Sequence, residues 1–342
     1  MEVCDIGQLD GARFHAALEL HRRLDLELDP DLPATTADEL RLLASVDHTH
    51  HADHVRVVAL ENDDEAVALG HLGLGHDPAN PTLASAEVSW PSDVDAGRIV
   101  LAELLDRADA DGRTNLMGGG PRTDAQSSFW TALGADERYV ERFSELDVAA
   151  VDDSLMASWI DGRHDRAGDL DLVAWVDVCP AAHLDAFVTA RNAMRDAPID
   201  DLEMVDEVHS PQSTRREEVA AAAIGLETLG ILAITPDGNP AGLTIVQRNT
   251  HRPAASWQGD TVVLVPHRRR GVGRWLKAEM WRSLRLDRPD VISLRTGNAA
   301  SNAAMLAIND AMGYRPTYEV AVWQADIATL RDGLAHMTAT PR

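Results

Sequence analysis

The sequence predicts an α/β protein of two tandem domains built on one plan. Three observations predict it. At 342 residues the chain is long for a single core and comfortable for two. Its apolar content of 45% is enough to fill real cores. One succession of apolar runs and turns, ending in strand, helix, strand, helix, strand, occurs twice.

The later copy is the clearer one. "LGILAITPDGN" and "PAGLTIVQRN" flank a "PDGNP" turn and read as a hairpin. "DTVVLVP" is the next strand. It leads through an Arg/Gly turn into "GRWLKAEMWRSL", where Trp275, Leu276, Met280 and Leu284 recur at helical spacing. "DVISLRT" reads as a strand, "SNAAMLAINDAMGY" as a helix ending at Gly313, and "YEVAVWQADI" as the last strand. In the earlier copy "HVRVVALEND" and "EAVALGHLGLG" form the hairpin and "ASAEVSWP" the next strand. "DAGRIVLAELLDRAD" is then a helix, "RTNLMGG" a strand, "DAQSSFWTALGA" a helix and "RYVERFSELDV" the last strand. The expected domains are residues 1–150 and 170–342, joined by an irregular, charged linker over 151–169.

Aligning Pro91 with Pro266 sets Asp93, Ala96 and Arg98 against Arg268, Gly271 and Gly273. The earlier copy thus keeps the scaffold and loses the special turn.

The formal net charge of -25 argues against a general nucleic-acid binder, which needs a basic face. The acidic excess attracts cationic small molecules and keeps the chain soluble. No run approaches the roughly 18 apolar residues of a membrane span, and the first residues do not read as a signal peptide. Cys4 and Cys179, the two cysteines, read as reduced bystanders of a cytoplasmic protein. Arginine is used almost to the exclusion of lysine, Lys277 being the single lysine, a pattern that fits a GC-rich genome.

Against that acidity, "TVVLVPHRRRGVGRWLKAEM" concentrates arginine and glycine between a strand and a helix. Unpaired amides of a first helical turn, with the helix dipole, favour an anion. Gly271 and Gly273 let the backbone approach closely, and Arg268, Arg269, Arg270 and Arg274 add charge and bidentate donors. An ordinary arginine-capped turn fits the same residues. The pattern is neither G-x-x-x-x-G-K-[ST] nor G-x-G-x-x-G.

"VPHRRRGVGRWLKAEM" resembles the R-x-x-G-x-G/A turn of GCN5-related N-acetyltransferases, and "RTGNAASNAAMLAINDAMGYRP" is similar to their Asn-rich second motif. The likeness extends to tandem actinobacterial members in which an intact C-terminal domain follows a degenerate one. It implies a mixed sheet in each domain with a splayed parallel pair and flanking helices. It implies acetyl-CoA as co-substrate, held by the backbone of Val263, Leu264 and Val265, by Arg268 through Gly271, Val272, Gly273 and Arg274, and by Asn298 and Asn302. Helix capping by Asn298, Asn302 or Ser301 stays open beside that role.

The implied chemistry is attack of a neutral amine on the thioester. With a pKa of about 10, only about one alkylamine in a thousand is neutral at pH 7, so a base is required. Asp260 is the first candidate, with an ordinary strand-start role as its rival; Glu203, Asp206 and His251 are others, and Tyr314 or Tyr318 are polar guides. Many family members place a tyrosine four residues before the terminal glycine of the second motif. Here that position is Asn309, which can donate to the sulfur but supplies no proton. The expected acceptor is a small-molecule primary amine, with neither nucleic acid nor membrane as partner, and a monomer or homodimer as the assembly. An acyl-CoA sensor or a protein lysine acetyltransferase is the alternative. The histidine-rich "DHTHHADH", Asp47 to His54, fits no named zinc pattern and reads as a solvated loop, so no metal is expected.

Overall fold

The computed structural model describes residues 1–30, 34–45, 52–162, 167–206 and 208–339. The first elements are β1 (Glu2–Asp5), α1 (Gly11–Leu28), α2 (Ala37–Ser45), β2 (Ala52–Leu60), β3 (Ala66–Gly75), β4 (Leu83–Ser89), α3 (Val94–Ala110), β5 (Asn115–Pro121), α4 (Asp124–Ala132) and β6 (Asp136–Asp147). There follow α5 (Asp153–Asp161), β7 (Asp171–Val176), α6 (Leu184–Asn192), α7 (Pro211–Ala223), β8 (Leu226–Ile234), β9 (Pro240–Asn249) and β10 (Ala255–Val263). The last are α8 (Val272–Asp287), β11 (Ser293–Ala299), α9 (Ala303–Met312), β12 (Arg315–Asp326) and α10 (Ile327–Ala339).

Two compact units result. One comprises Met1–Glu141, Ile199–Glu207 and Tyr318–Arg342, the other Arg142–Pro198 and Val208–Thr317. The first unit's sheet has the order β1-β2-β3-β4-β5-β12, antiparallel except for the parallel pair β4–β5. The second follows the same plan as β7-β8-β9-β10-β11-β6, with β10–β11 parallel. The mixed sheets with one parallel pair are those expected. The units are nevertheless not the two sequence halves, because β12 lies beside β5 and β6 beside β11. Side-chain alternation specifies which face of a strand is buried, not which sheet edge it joins.

Each sheet is covered on both faces, which explains the near-continuous burial of its central strands. In the first unit Val100, Leu101 and Leu104 of α3 pack with Leu72, Leu116 and Trp130. Phe14 and Leu18 of α1 cover Val58 and Leu60 on the other face. In the second unit Trp275, Leu276, Met280 and Leu284 of α8 are buried with Ile231, Val246 and Leu294, so their helical spacing is a core stripe. Phe187 of α6 covers Trp175 and Leu243 opposite. A fully buried leucine contributes about 2 kcal/mol of transfer free energy, so each α8 contact fixes the start of that helix firmly. No helix among the described residues is long and apolar enough to cross a membrane.

The same helix buries Lys277, 2% exposed, with Nζ 5.4 Å from the centre of the Tyr314 ring. Burial brings this ammonium down to about 7 from an ordinary 10.5. Between those values the unfolded chain holds a proton that the folded chain has released. Stability therefore rises as pH climbs through that window, and the destabilisation is complete below it. Lys277→Met is expected to flatten the increase in urea-unfolding free energy between pH 7 and pH 10 relative to wild type; equal slopes for the two proteins would refute the assignment.

Candidate functional site

The parallel ladder of the second unit runs from Ala255–Ser293 to Trp257–Arg295 and stops there, although β10 continues to Val263 and β11 to Ala299. Along its other edge β10 stays paired with β9, with a register shift between Gln258 and Thr261. A bulge of this kind bends and twists its strand, and at Gly259–Asp260 it coincides with the parting of β10 from β11. Buried polar side chains hold the bend. Gln258 Nε2 donates to the Ile245 carbonyl at 2.8 Å and reaches the hydroxyls of Thr244 and Thr261, while Thr296 donates to the Gln258 carbonyl at 3.1 Å. Sequence reasoning missed these four residues, which carry no spacing that marks them in a strand.

Beyond β10 the backbone makes a short turn over Val265–His267 and enters α8 through two left-handed residues, Arg269 at φ 62° and Gly271 at φ 82°. Gly271 is the cap residue, and a Cβ built on it would meet nothing within 4 Å. Trp275 donates its amide to the Gly271 carbonyl at 3.0 Å, so the helix begins in regular fashion. The amides of Val272, Gly273 and Arg274 have no hydrogen-bond acceptor among the described residues. They form an open, rigid donor set at the positive end of the helix dipole.

The arginines are unequal. Arg268 donates Nε to the Val263 carbonyl at 2.9 Å and pairs with Asp196 at 2.9 Å. Arg270 pairs with Asp169 and lies 3.1 Å from His267 Nδ1. Arg274 sits over the Trp159 ring, 5.6 Å from its centre. Arg269 is exposed, with no partner among the described residues. The sequence reading gave all four to one anion; among the described residues Arg269 and Arg274 have no carboxylate partner, while Arg268 pairs with Asp196 and Arg270 with Asp169.

Of the strand segment, the Val263 carbonyl is taken by Arg268, the Leu264 amide donates to Ala241 at 3.0 Å, and Val265 is exposed. Asn302 caps α9 by accepting from the Met305 amide at 3.2 Å. Asn309 is buried and donates to Asn298 Oδ1 at 2.7 Å, so its amide is committed within the protein and orients Asn298. Asp260 is half-buried at the bulge. Burial pushes its carboxyl up, against the pull of Arg191, whose Nε is 3.8 Å away, and of His209. For the neighbouring Glu217 burial alone would act upward, yet His209 and Arg191 outweigh it and bring the carboxyl to about 2. Tyr314 is buried, and Glu203, Asp206 and Tyr318 belong to the first unit.

The corresponding turn in the first unit is built differently. Pro91 precedes its helix cap, Asp93, by two residues, and Pro266 precedes Gly271 by five. The caps therefore set Asp93, not Ala96, against Gly271. The Asp93 carboxylate accepts the Asp95 amide at 2.9 Å, and Asp95 pairs with Arg98. Gly97 lies where a Cβ would stand 2.5 Å from the Trp90 ring. Of the histidine-rich stretch, residues 47–51 lie outside the described residues; His54 stacks on His71 with ring centres 5.1 Å apart.

No protein-family model matches the sequence, and no curated protein is significantly similar to it. Solved structures are. A tandem GNAT protein from the clavulanic acid biosynthesis pathway, solved without acetyl-CoA, superposes with a TM-score of 0.72 at 22% identity, over 95% of this chain and 98% of that one. The fold is that of a tandem GCN5-related N-acetyltransferase. A GCN5-related N-acetyltransferase of Sphaerobacter thermophilus matches at TM-score 0.65 and 13% identity, over 95% of each chain. One of Kribbella flavida matches at 0.51 and 13%, over 92% of this chain and 95% of that one. The tandem acetyltransferase fold accounts for the diverging parallel pair in the second unit.

Asn302→Ala is expected to lower the unfolding free energy by about 1 kcal/mol through loss of the α9 cap, whereas Asn302→Asp keeps most of it. Urea unfolding checks this, and equal losses in the two variants would exclude the capping role.

Proposed function

We propose that the second unit binds acetyl-CoA and transfers its acetyl group to a primary amine of a small molecule. The observation that carries this reading is the uncapped first turn of α8, placed where β10 parts from β11. The residues fit the co-substrate: the amides of Val272, Gly273 and Arg274 and the guanidinium of Arg269 would hold its diphosphate, and Gly271 leaves the approach open. Bound there, acetyl-CoA supplies an activated acetyl thioester.

Local charge decides this against the net charge of -25. Opposite charges about 4 Å apart gain about 4 kcal/mol at an effective dielectric of about 20, whereas distant charges are screened beyond about 10 Å at 0.1 M salt. The acceptor nitrogen forms a bond to the acetyl carbon, the carbon–sulfur bond breaks, and the amine's proton passes to Asp260. The sulfur departs as a thiolate; Asn309, committed to Asn298, supplies no proton to it. A small acceptor is in line with the neighbour from clavulanic acid biosynthesis.

Isothermal titration with CoA tests the site. Wild type should bind, Gly271→Glu should weaken binding by at least about a hundredfold, and affinity should fall with ionic strength because charge-assisted contacts are screened. Wild-type affinity no better than millimolar, or affinity that is flat with salt, would sink the reading. For the base, Asp260→Asn should reduce amine-dependent release of free thiol by about 10²–10⁴-fold with CoA affinity retained. Because Asp260 must be deprotonated to act, the wild-type rate should decline as pH falls through a value above the ordinary 3.8. An unchanged rate in the variant would move the base elsewhere.

A further inference from the structure

Three charged or titratable side chains gather beside Asp260 at the bulge. They are Arg191 at the end of α6, His209 just before α7 and Glu217 within α7, all in the second unit. One guanidinium is shared unequally between two carboxylates. Arg191 Nη1 donates to Glu217, while Arg191 Nε lies 3.8 Å from Asp260, beyond a hydrogen bond. That Nε is buried and meets no hydrogen-bond acceptor among the described residues. His209 Nδ1 lies 3.4 Å from the other Glu217 oxygen.

The backbone holds this arrangement in place. Asn192, next to Arg191, donates to the His209 carbonyl at 3.0 Å and accepts the His209 amide at 2.8 Å, which ties the end of α6 to the approach to α7. Ser210 then accepts the Ser213 amide at 3.0 Å and caps α7. Of the four side chains Asp260 is the most open, 35% exposed against 15% for Arg191, 19% for His209 and 21% for Glu217. The other three are placed to act on it rather than on a substrate.

We infer that Arg191 is a positioning residue for the base and that Glu217 restrains it: by holding the guanidinium, Glu217 denies Asp260 a hydrogen-bonded ion pair and so keeps it basic. This role deepens the acetyl-transfer reading and rests on it. A carboxylate paired directly with a guanidinium loses about one to three units of pKa and becomes a poor proton acceptor. Glu217 shows the effect: against its own burial, His209 and Arg191 bring it to about 2. Burial instead holds Asp260 above its ordinary value despite Arg191 and His209, and the charge of Glu217 acts in the same direction as burial. Ionised throughout the range in which an amine reacts, Glu217 keeps its hold on Arg191.

The test follows the Asp260 carboxyl by carbon-13 NMR of the full chain labelled at its aspartate side-chain carboxyls, the signal assigned by its loss in Asp260→Asn. Glu217→Gln, which keeps the shape and gives up the charge, should lower the Asp260 midpoint by about one unit. Arg191→Met should raise it by about one unit, and Arg191→Lys should return it towards wild type. Arg191→Met leaves Glu217 without its guanidinium, so the double variant Arg191→Met/Glu217→Gln, which strands no charge, is measured beside it. Its midpoint should stand above that of Glu217→Gln alone, and circular dichroism shows which variants fold. The acid limb of kcat/KM for amine-dependent thiol release should move in the same directions, whereas a packing role would change the rate without moving the limb. A midpoint that stays or rises in folded Glu217→Gln, or a double variant no higher than Glu217→Gln, would overturn the inference. Midpoints that move as stated while no amine releases thiol would support the charge arrangement and refute the acetyl-transfer reading alone.

Discussion

The amides of Val272, Gly273 and Arg274 at the start of α8 meet no acceptor among the described residues, since the residue at the cap is Gly271. Every other feature of the second unit's site depends on that open turn. A helix end carries the equivalent of roughly half a positive charge, and among the described residues neither a capping oxygen nor a nearby carbonyl neutralises it. The buried stripe of α8 prevents the turn from rearranging to satisfy itself. Trp275, Leu276 and Met280 are locked into the core within the first two to three turns, so the donors keep their direction whether or not an anion is present. The bulge at Gly259–Asp260 marks where β10 leaves β11 on the way to that turn.

The first unit shows how little separates a scaffold from a site. Its parallel pair, its crossover helix α3 and its buried leucines repeat the plan of the second unit, yet Asp93 stands at the cap. A carboxylate there accepts an amide that an anion would need and repels the anion as well. Such a cap stabilises a helix by about 1 kcal/mol. The three additional residues between proline and cap in the second unit matter as much. They accommodate the left-handed Arg269 and Gly271, conformations that a shorter connection gives no room to adopt.

Much of this was legible in the sequence, for identifiable reasons. Helical spacing marked the α8 core, the "PDGNP" turn marked the hairpin of β8 and β9, and Gly313 marked the end of α9, where it sits at φ 100°. Glycines and arginines against an acidic background marked the turn. The partners of β6 and β12 were not legible, because alternation says nothing of which edge a strand joins. Nor were the ion pairs that occupy Arg268 and Arg270, since Asp196 and Asp169 are ordinary acidic residues far away in sequence. The commitment of Asn309 to Asn298 and the role of Gln258 at the bulge depend on side chains meeting across elements, which no local pattern encodes.

Topology places both clefts before chemistry distinguishes them. Parallel strands joined by a crossover helix direct their carboxyl ends and the helix N-terminus to the same place, so an opening beyond the last ladder pair is a natural ligand position. In the second unit that pair is Trp257–Arg295 and the opening faces amides. In the first it is Glu87–Gly119, and the crossover helix that follows β4 is capped by the Asp93 carboxylate. The backbone is nearly common to both; the sign of the charge is not. The difference lies in the cap residue, an aspartate in place of a glycine, and in the shorter connection that precedes it. With the strand arrangement already set by the fold, the character of each turn is decided by the local field within the few ångströms where it is unscreened.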